Sequence, residues 1–350
     1  YGKKSVRHYL DKENCVLLSV DESKKYKKAL LRTGREYVRL VIPPSTDPTK
    51  YRNIFAKDAK VVKYTNIPAI DDELLTIEQR STVKKYKFGV VYVKPGQDEN
   101  SIFGNDDISK QFYEMMYLIA EKVQLKGFGA YNGGLDVKFN ETGEESFYTK
   151  YLNNEVMFHV APLLPASEDD PQKLERKRHI GNDIVVLVFL EDGVKNFDPR
   201  LFTSHFNHIF IVIQPISKQH AEQILGIEHK EEETSQVSGA DGSISDTNFR
   251  SSQSVLESQV CVNPVIGDKS TWNISGFEDK YVRVSVATKP NISPFPPYIE
   301  TGVYKMDINL RDFLLQKMIN GERTALRYPP FRTNAENTRR QQITCIAQKL

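Results

Sequence analysis

Short apolar runs separated by polar connections dominate the chain, and they predict strands. The longest run, residues 184–190, has seven apolar residues, far fewer than the roughly 20 that span a bilayer, so it predicts a buried strand. Further strands are expected where β-branched and aromatic residues concentrate. These segments are residues 15–20, 37–42, 88–93, 155–160, 209–213 and 282–286.

Three other segments carry the pattern or the entry signals of helices. Residues 111–123 place apolar side chains at three- and four-residue spacing. That face consists of Phe112, Met115, Met116, Ile119 and Val123. A second helix is predicted over residues 171–179, because the Asp169-Asp170 pair before it is a favourable N-terminal cap. A third, over residues 309–319, is expected to stop at Gly321.

These elements divide a chain that is too long for one hydrophobic core. Residues 1–85 predict a smaller α+β domain of short strands and Lys-rich connections. Residues 86–320 alternate strands and helices, which predicts an α/β domain with a central mixed sheet flanked by helices. A Ser-rich stretch at about 229–259 lacks the apolar residues of a packed segment and predicts a disordered insertion. Residues 321–350 are expected to form a C-terminal helix.

Charge, apolar runs and cysteine content argue against several kinds of partner and site. The 48 basic residues nearly balance the 46 acidic ones, and the net charge of +2 gives no reason to expect nucleic acid as a partner. No segment is apolar enough to predict an integral membrane helix. The three cysteines are scattered, which argues against a disulfide framework and a cysteine zinc site and favours a cytoplasmic location.

Several common chemistries lack the residues that they need. The chain has no P-loop, no Gly-x-Ser-x-Gly elbow and no His-Glu-x-x-His motif, so it should not bind a nucleoside triphosphate by itself. The glycines at 127–133 depart from dinucleotide-binding spacing and follow a predicted helix. His205 and His208 lack a suitably spaced acidic or cysteine partner, which favours histidines of the core or surface over metal ligands.

Polar clusters concentrate between residues 133 and 190. The segment 133–136, Gly-Gly-Leu-Asp, predicts a flexible turn closed by a carboxylate. The segment 176–179, Arg-Lys-Arg-His, places four potential cations at the negative end of a predicted helix, which favours a solvated helix end over a binding patch. Spacing alone likewise favours Asn182 as an asparagine that stops the helix after Gly181.

The nine residues 177–185, Lys-Arg-His-Ile-Gly-Asn-Asp-Ile-Val, resemble the signature of the Rap GTPase-activating protein family, whose relatives also act on Rheb and Ral. The resemblance covers residues 86–320 well and extends more weakly to 30–33, Leu-Leu-Arg-Thr. Other landmarks agree in order and spacing. They are Phe-Gly-Val-Val-Tyr at 88–92, Gly-Gly-Leu-Asp-Val at 133–137, Thr-Gly-Glu-Glu-Ser at 142–146, Glu-Val-Met-Phe-His-Val at 155–160 and Pro-Phe-Pro-Pro at 294–297.

The resemblance implies a function and assigns roles to residues. Members of this family stimulate GTP hydrolysis by a Rap-type small GTPase through an inserted asparagine, the asparagine thumb, since Rap lacks the glutamine that usually orients water. By resemblance that asparagine is Asn182. The resemblance also implies that His179, Arg178, Lys177 and Asp183 support the loop or bind the GTPase. The chain needs no cofactor of its own, because the partner carries GTP and Mg²⁺.

Other interpretations stay open at this point. The chain could be a catalytically silent scaffold that binds a small GTPase, or an activator of Rheb or Ral. An independent hydrolase would turn over without any added GTPase. Family analogy also gives residues 1–85 a role in homodimerisation, with residues of the C-terminal helix packed on that domain.

Overall fold

The computed structural model describes residues 6–23, 26–46, 50–51, 54–55, 60–65, 73–75, 83–166, 169–226, 279–329 and 331–349. The insertion expected at about 229–259 lies outside these residues. Within them the chain forms two sheets of separate strands, one small and antiparallel and one large and mixed. The predicted α/β class, with a mixed sheet flanked by helices, is confirmed.

The small sheet has the strand order β4-β3-β2-β1-β5, and all its pairings are antiparallel. Its strands are β1 (Val6–Asp11), β2 (Val16–Asp21), β3 (Lys27–Arg32), β4 (Tyr37–Ile42) and β5 (Val61–Thr65). The C-terminal helix α6 (Phe331–Lys349) packs on one face, where Ile343 and Ile346 are buried with Leu10 and Leu17. The first and last parts of the chain therefore share one hydrophobic core.

The large sheet has the order β13-β12-β11-β10-β6-β9-β8-β7, with parallel pairing among its four central strands and antiparallel pairing outside them. Its strands are β6 (Lys85–Val93), β7 (Glu121–Gln124), β8 (Glu145–Tyr151), β9 (Asn154–Val160), β10 (Val185–Leu190), β11 (Ile209–Ile216), β12 (Tyr281–Thr288) and β13 (Val303–Lys305). The continuous apolar run of β10 is explained by its position, because a central strand covered on both faces buries every side chain.

Helices cover both faces of this sheet. They are α1 (Glu99–Phe103), α2 (Lys110–Ile119), α3 (Leu174–Gly181), α4 (Lys218–Leu225) and α5 (Ile308–Ala325). The apolar sides of α2 and α5 belong to one core layer, and those of α1 and α3 belong to the other. The fold thus holds α3, which precedes the central strand β10, against the sheet from one side.

The predicted strands are confirmed, but the helix boundaries were wrong in four places. The C-terminal helix, expected from residue 321, begins at Phe331, because residues 321–325 still belong to α5. The helix expected over 111–123 ends at Ile119, because the chain leaves it to pair with β8, and Val123 lies in edge strand β7. The helix expected over 171–179 begins later, at Leu174, and its N-cap residue is Lys173.

The third helix continues past its expected stop to Ala325. Gly321 lies inside it, and a Cβ atom there would come within 3.0 Å of Ile209 and 3.1 Å of Phe295. This glycine permits close packing of α5 on the sheet and does not end the helix.

Candidate functional site

Asn182 is exposed at the point where α3 ends and the chain turns into β10. Its backbone N–H donates to the His179 carbonyl at 3.2 Å, and its side-chain Nδ2 donates to the Arg178 carbonyl at 2.8 Å. These two bonds satisfy carbonyls that a helix C-terminus leaves open. The side chain is exposed, and its Oδ1 has no hydrogen-bond partner among the described residues, so this oxygen can accept a bond from a partner.

Beneath Asn182 lies a buried acid–base pair. Asp183 is fully buried, and its Oδ2 lies 2.9 Å from Nδ1 of His159, which is also buried. The other ring nitrogen, Nε2, lies 3.1 Å from the Gly133 carbonyl. A carbonyl only accepts, so this contact favours a hydrogen on Nε2. Lys87 places its ammonium 3.3 Å from Oδ1 of Asp183 and adds positive charge to the pair.

The pair positions the segments around it. Gly133 begins the Gly-Gly-Leu-Asp turn, so the histidine ties that turn to the end of α3. The predicted carboxylate closure is confirmed, because Asp136 accepts backbone N–H bonds from Lys138, Phe139 and Glu141. Those bonds, first that of Glu141, hold the pKa of Asp136 below its ordinary value. The turn is therefore tied at both ends, unlike the flexible turn that the sequence suggests.

Gly89 of β6 lets the end of α3 approach the sheet. A Cβ atom at this position would lie 3.0 Å from Cγ2 of Ile180 and 3.2 Å from Oδ2 of Asp183. Both neighbours are buried, so neither can retreat into solvent. The glycine in the Phe-Gly-Val-Val-Tyr strand therefore permits the close contact on which the Asp183 position depends.

His179 packs edge-on against His159, with ring centroids 5.6 Å apart and planes at 76°. Burial lowers the pKa of His179, and the adjacent His159 and Arg178 lower it further. At neutral pH His179 is therefore an uncharged ring with one donor and one acceptor nitrogen, and it does not add to the positive charge predicted for residues 176–179.

A family model described as Rap/ran-GAP matches residues 102–340. The chain belongs to the Rap/ran-GAP family. The match spans α1 to α6 and contains the exposed asparagine and the buried pair beneath it. Among the described residues no group of three or more His, Cys, Asp or Glu side chains is arranged to hold a metal ion. No helix in the described part of the chain is both long and apolar enough to cross a membrane.

The chain is similar to several known proteins over most of its length. "RapA guanosine triphosphatase-activating protein 1" of Dictyostelium discoideum is 30% identical over 344 residues, which are 96% of this chain and 32% of that protein. The human "Signal-induced proliferation-associated 1-like protein 3" is 32% identical over 286 residues, 81% of this chain and 13% of that protein. The chain thus spans a third or less of the length of these relatives. A solved structure titled "Structure of the TSC2 GAP domain" aligns with a TM-score of 0.47 at 25% identity and covers 69% of this chain and 97% of that one.

Two basic residues of the signature, Arg178 and Lys177, differ in their exposure. Arg178 is exposed and pairs with Glu175 at 3.1 Å. Lys177 is half-buried, donates to Oδ1 of Asn100 at 2.5 Å and pairs with Glu99 at 3.2 Å. Asn182 and Arg178 are therefore available to a partner, while Lys177 also links α3 to α1.

Arg176, just before the signature, contradicts the expectation of a solvated helix end. Its side chain is 3% exposed and donates to the carbonyls of Leu164, Phe103 and Asn105 at 2.9, 2.8 and 3.2 Å. It also pairs with Asp106. A guanidinium has enough donors for all four contacts, so it can be buried without loss of hydrogen bonding. Arg176 anchors α3 to the segment after α1.

Two further residues of this candidate site could not be identified from the sequence. Asn207 is 1% exposed, and its Nδ2 donates to the carbonyls of Ile180 and Asp183 at 2.8 and 2.7 Å. Ser204 donates from Oγ to the Gly181 carbonyl at 2.5 Å. No local pattern marks them, because they contact the signature through tertiary structure, at sequence separations of 23 to 27 residues from the residues they bind.

Glu322 of α5 places a further carboxyl near the buried pair. The residue is half-buried, but its carboxyl is enclosed. Burial, and then the charge of Asp183, raises the pKa of Glu322 to about 8, although Lys87 and Arg323 oppose the rise. The folded chain therefore holds a proton at this carboxyl at neutral pH.

Replacing Glu322 with Gln is expected to flatten the pH dependence of stability between pH 4.5 and about 8. The carboxyl is protonated in both states below pH 4.5, where its contribution is fully present. As the pH rises the unfolded state releases the proton first, so stability falls until the folded state titrates at about 8. At pH 8.5 Glu322→Gln should be more stable than the wild type by at least about 1 kcal/mol, measured by urea unfolding.

The exposed Glu300→Gln is the control for Glu322→Gln and should follow the wild type at every pH. Equal pH profiles for Glu322→Gln and the wild type would contradict the raised pKa.

Proposed function

We propose that this chain stimulates GTP hydrolysis by a Rap-type small GTPase by placing the carboxamide of Asn182 beside the bound nucleotide. The observation that supports it best is the geometry of Asn182, an exposed side chain on backbone held from below by buried contacts. The relative named as a RapA GTPase-activating protein, which this chain matches along 96% of its residues, supports Rap as the partner.

The chemistry follows from the two ends of a carboxamide. Oδ1 makes no hydrogen bond to the described residues and can accept one from the attacking water, which fixes the water along the line of attack. Nδ2 has two hydrogens, and the bond to the Arg178 carbonyl uses one of them. The second can donate to a phosphate oxygen as charge develops there. GTP and Mg²⁺ belong to the partner, and the chain contributes no cofactor.

The neighbouring residues have separate roles in this proposal. Arg178, exposed beside Asn182, supplies positive charge to the partner surface. His179, uncharged at neutral pH, packs against His159 of the buried pair, and its carbonyl accepts from the Asn182 N–H. Asp183 is fully buried and supports the loop from within without touching the partner. A cytosolic location is part of the proposal and is supported by the free thiols of Cys15 and Cys345.

Phosphate release from GTP-loaded Rap, Rheb and Ral, measured in single turnover with and without the chain, tests this function. Acceleration with Rap is the expected result. Larger acceleration with Rheb or Ral would identify a different GTPase as the substrate and would leave the proposed mechanism unchanged. Binding without acceleration would favour the silent scaffold, and phosphate release from free GTP would indicate an independent hydrolase.

A homodimer through the small sheet, expected from the family resemblance, stays a prediction. Strand β4 lies at the edge of that sheet, and its Val41 side chain is 69% exposed. An apolar side chain on an open strand edge is suited to pairing with a second copy. Sedimentation at micromolar concentration should show a dimer, and a monomer alone would contradict it.

A further inference from the structure

The end of α3 needs external support to hold Asn182 in one place. The helix has eight residues, and its N-cap Lys173 makes no side-chain capping bond. Short helices are marginal by themselves, and the last four carbonyls of any helix lack partners inside it. Asn182 satisfies two of them, those of Arg178 and His179. The Ile180 carbonyl accepts from the Asp183 N–H at 3.1 Å, and the Gly181 carbonyl remains to be satisfied from elsewhere.

The 203–208 loop binds the Gly181 carbonyl and adds bonds to the carbonyls of Ile180 and Asp183. One carboxamide nitrogen, Nδ2 of Asn207, donates to the carbonyls of Ile180 and Asp183, at 2.8 and 2.7 Å. These carbonyls flank the backbone of Asn182 on both sides. Ser204 binds the Gly181 carbonyl between them. All three bonds are made to backbone, so they hold the path of the chain itself.

The 203–208 loop is itself anchored at three points. The Thr203 N–H donates to Oε1 of Glu99 in α1 at 3.0 Å, and the Ser204 carbonyl accepts from Nζ of Lys289 at 2.5 Å. The His208 N–H donates to the Ile184 carbonyl at 2.9 Å. The loop can therefore act as a fixed support, since each end is tied to the large domain.

We infer that Asn207, with Ser204, is a positioning residue for Asn182. This inference rests on the proposed function, and Asn207 acts through the backbone of Asn182 without touching the partner. Its buried carboxamide holds residues 180–183 in the turn that projects the Asn182 side chain. A displacement of about 1 Å at a reacting group can reduce a rate about 10²-fold, so the loss of two such bonds should be visible in the chemical step.

The test compares Asn207→Leu with a matched control, Asn154→Leu. Asn154 is also buried and also donates from Nδ2 to two carbonyls, those of Tyr151 and Leu152, at 3.0 and 3.2 Å. It begins β9, whereas His159 of the site lies roughly 17 Å further along that strand. The two variants remove equivalent bonds, so both should lose stability, and only one should move Asn182.

With GTP-loaded Rap, Asn207→Leu should lower the single-turnover rate at saturation by about 10- to 10²-fold and change the affinity less than about twofold. Asn154→Leu should leave both values unchanged once the folded fraction is matched. Ser204→Ala, which keeps the Asn207 bonds, should show a smaller loss in rate. In an Asn182→Ala background, Asn207→Leu should have no further effect on the rate, because it acts through Asn182. An additive loss would overturn the inference.

Hydrogen exchange separates this inference from the proposed function. The N–H groups of Asn182 and Asp183 bond to the carbonyls of His179 and Ile180. Their exchange should rise at least about tenfold in Asn207→Leu and stay unchanged in Asn154→Leu. Unchanged exchange in Asn207→Leu overturns the positioning role. If no GTPase responds to the wild type while exchange still rises, the proposed function fails and the positioning role stands. If Asn207→Leu does not fold, Ser204→Ala provides the same readout.

Discussion

Replacing Asn182 with Ala is expected to reduce stimulated GTP hydrolysis by at least about 10²-fold, the usual scale for one group that stabilises a transition state. The variant removes the oxygen that would orient water and the N–H that would reach phosphate. It leaves Arg178, His179 and the buried pair in place, so affinity for GTP-loaded Rap should change less than about twofold. Single-turnover phosphate release and equilibrium binding measure the two quantities separately.

Asn309→Ala is a matched control for Asn182→Ala. Asn309 is another exposed asparagine at a helix end, and its Nδ2 donates to Oδ2 of Asp307. Its removal should leave stimulation unchanged. Normal stimulation by Asn182→Ala would refute the catalytic assignment. A loss of affinity as large as the loss of rate would instead make Asn182 a docking residue.

Replacing Asp183 with Ala is expected to lower the free energy of unfolding by about 3–5 kcal/mol, because it removes a fully buried carboxyl that pairs with Lys87 and hydrogen-bonds to His159. The change leaves Nδ1 of His159, 1% exposed, without its hydrogen-bond partner and Lys87 without its carboxylate. Thermal and urea unfolding should both show the loss. Stimulation should also fall at temperatures where the variant is still folded, since the adjacent Asn182 loses its support.

Asp106→Ala is the matched control for Asp183→Ala. Asp106 also pairs with a buried cation, Arg176, but its own side chain is 66% exposed. The three carbonyls that accept from Arg176 remain in this variant, so the loss should be within about 1 kcal/mol. Equal losses for the two variants would show that burial of the Asp183 carboxylate is not the source of its effect.

The central strands could be predicted because a strand that is buried on both faces of a sheet consists almost entirely of apolar residues. Residues 184–190 and 88–93 are nearly all apolar, and both became central strands of the large sheet. Helix ends were harder to predict, because tertiary contacts decide them. Gly321 is the residue type that often ends a helix. Here it lies inside α5, and the short distances from its position to Ile209 and Phe295 explain it as a packing residue.

In the candidate site, too, the sequence identifies some residues, and others are found only from tertiary contacts. Asn182 was assigned through the family signature, since spacing alone favoured a helix-stop asparagine. Its geometry joins both interpretations, because it caps α3 and its Oδ1 can still accept a bond from a partner. Arg176 belongs to a run of basic residues, and nothing in that run distinguishes the buried guanidinium from its exposed neighbours. Asn207 contacts the signature only through the fold, so a single sequence contains no local sign of its role.

The bond between Asn182 Nδ2 and the Arg178 carbonyl affects how Asn182 can interact with a GTPase. In the free chain the carboxamide is held in one rotamer, so little side-chain freedom remains to be lost on docking. A partner that required both amide hydrogens would have to break this bond, at about 0.5–1.5 kcal/mol. A partner that needs only Oδ1 and one amide hydrogen can bind the side chain without breaking this bond. The conformation of the free loop would therefore favour such a partner.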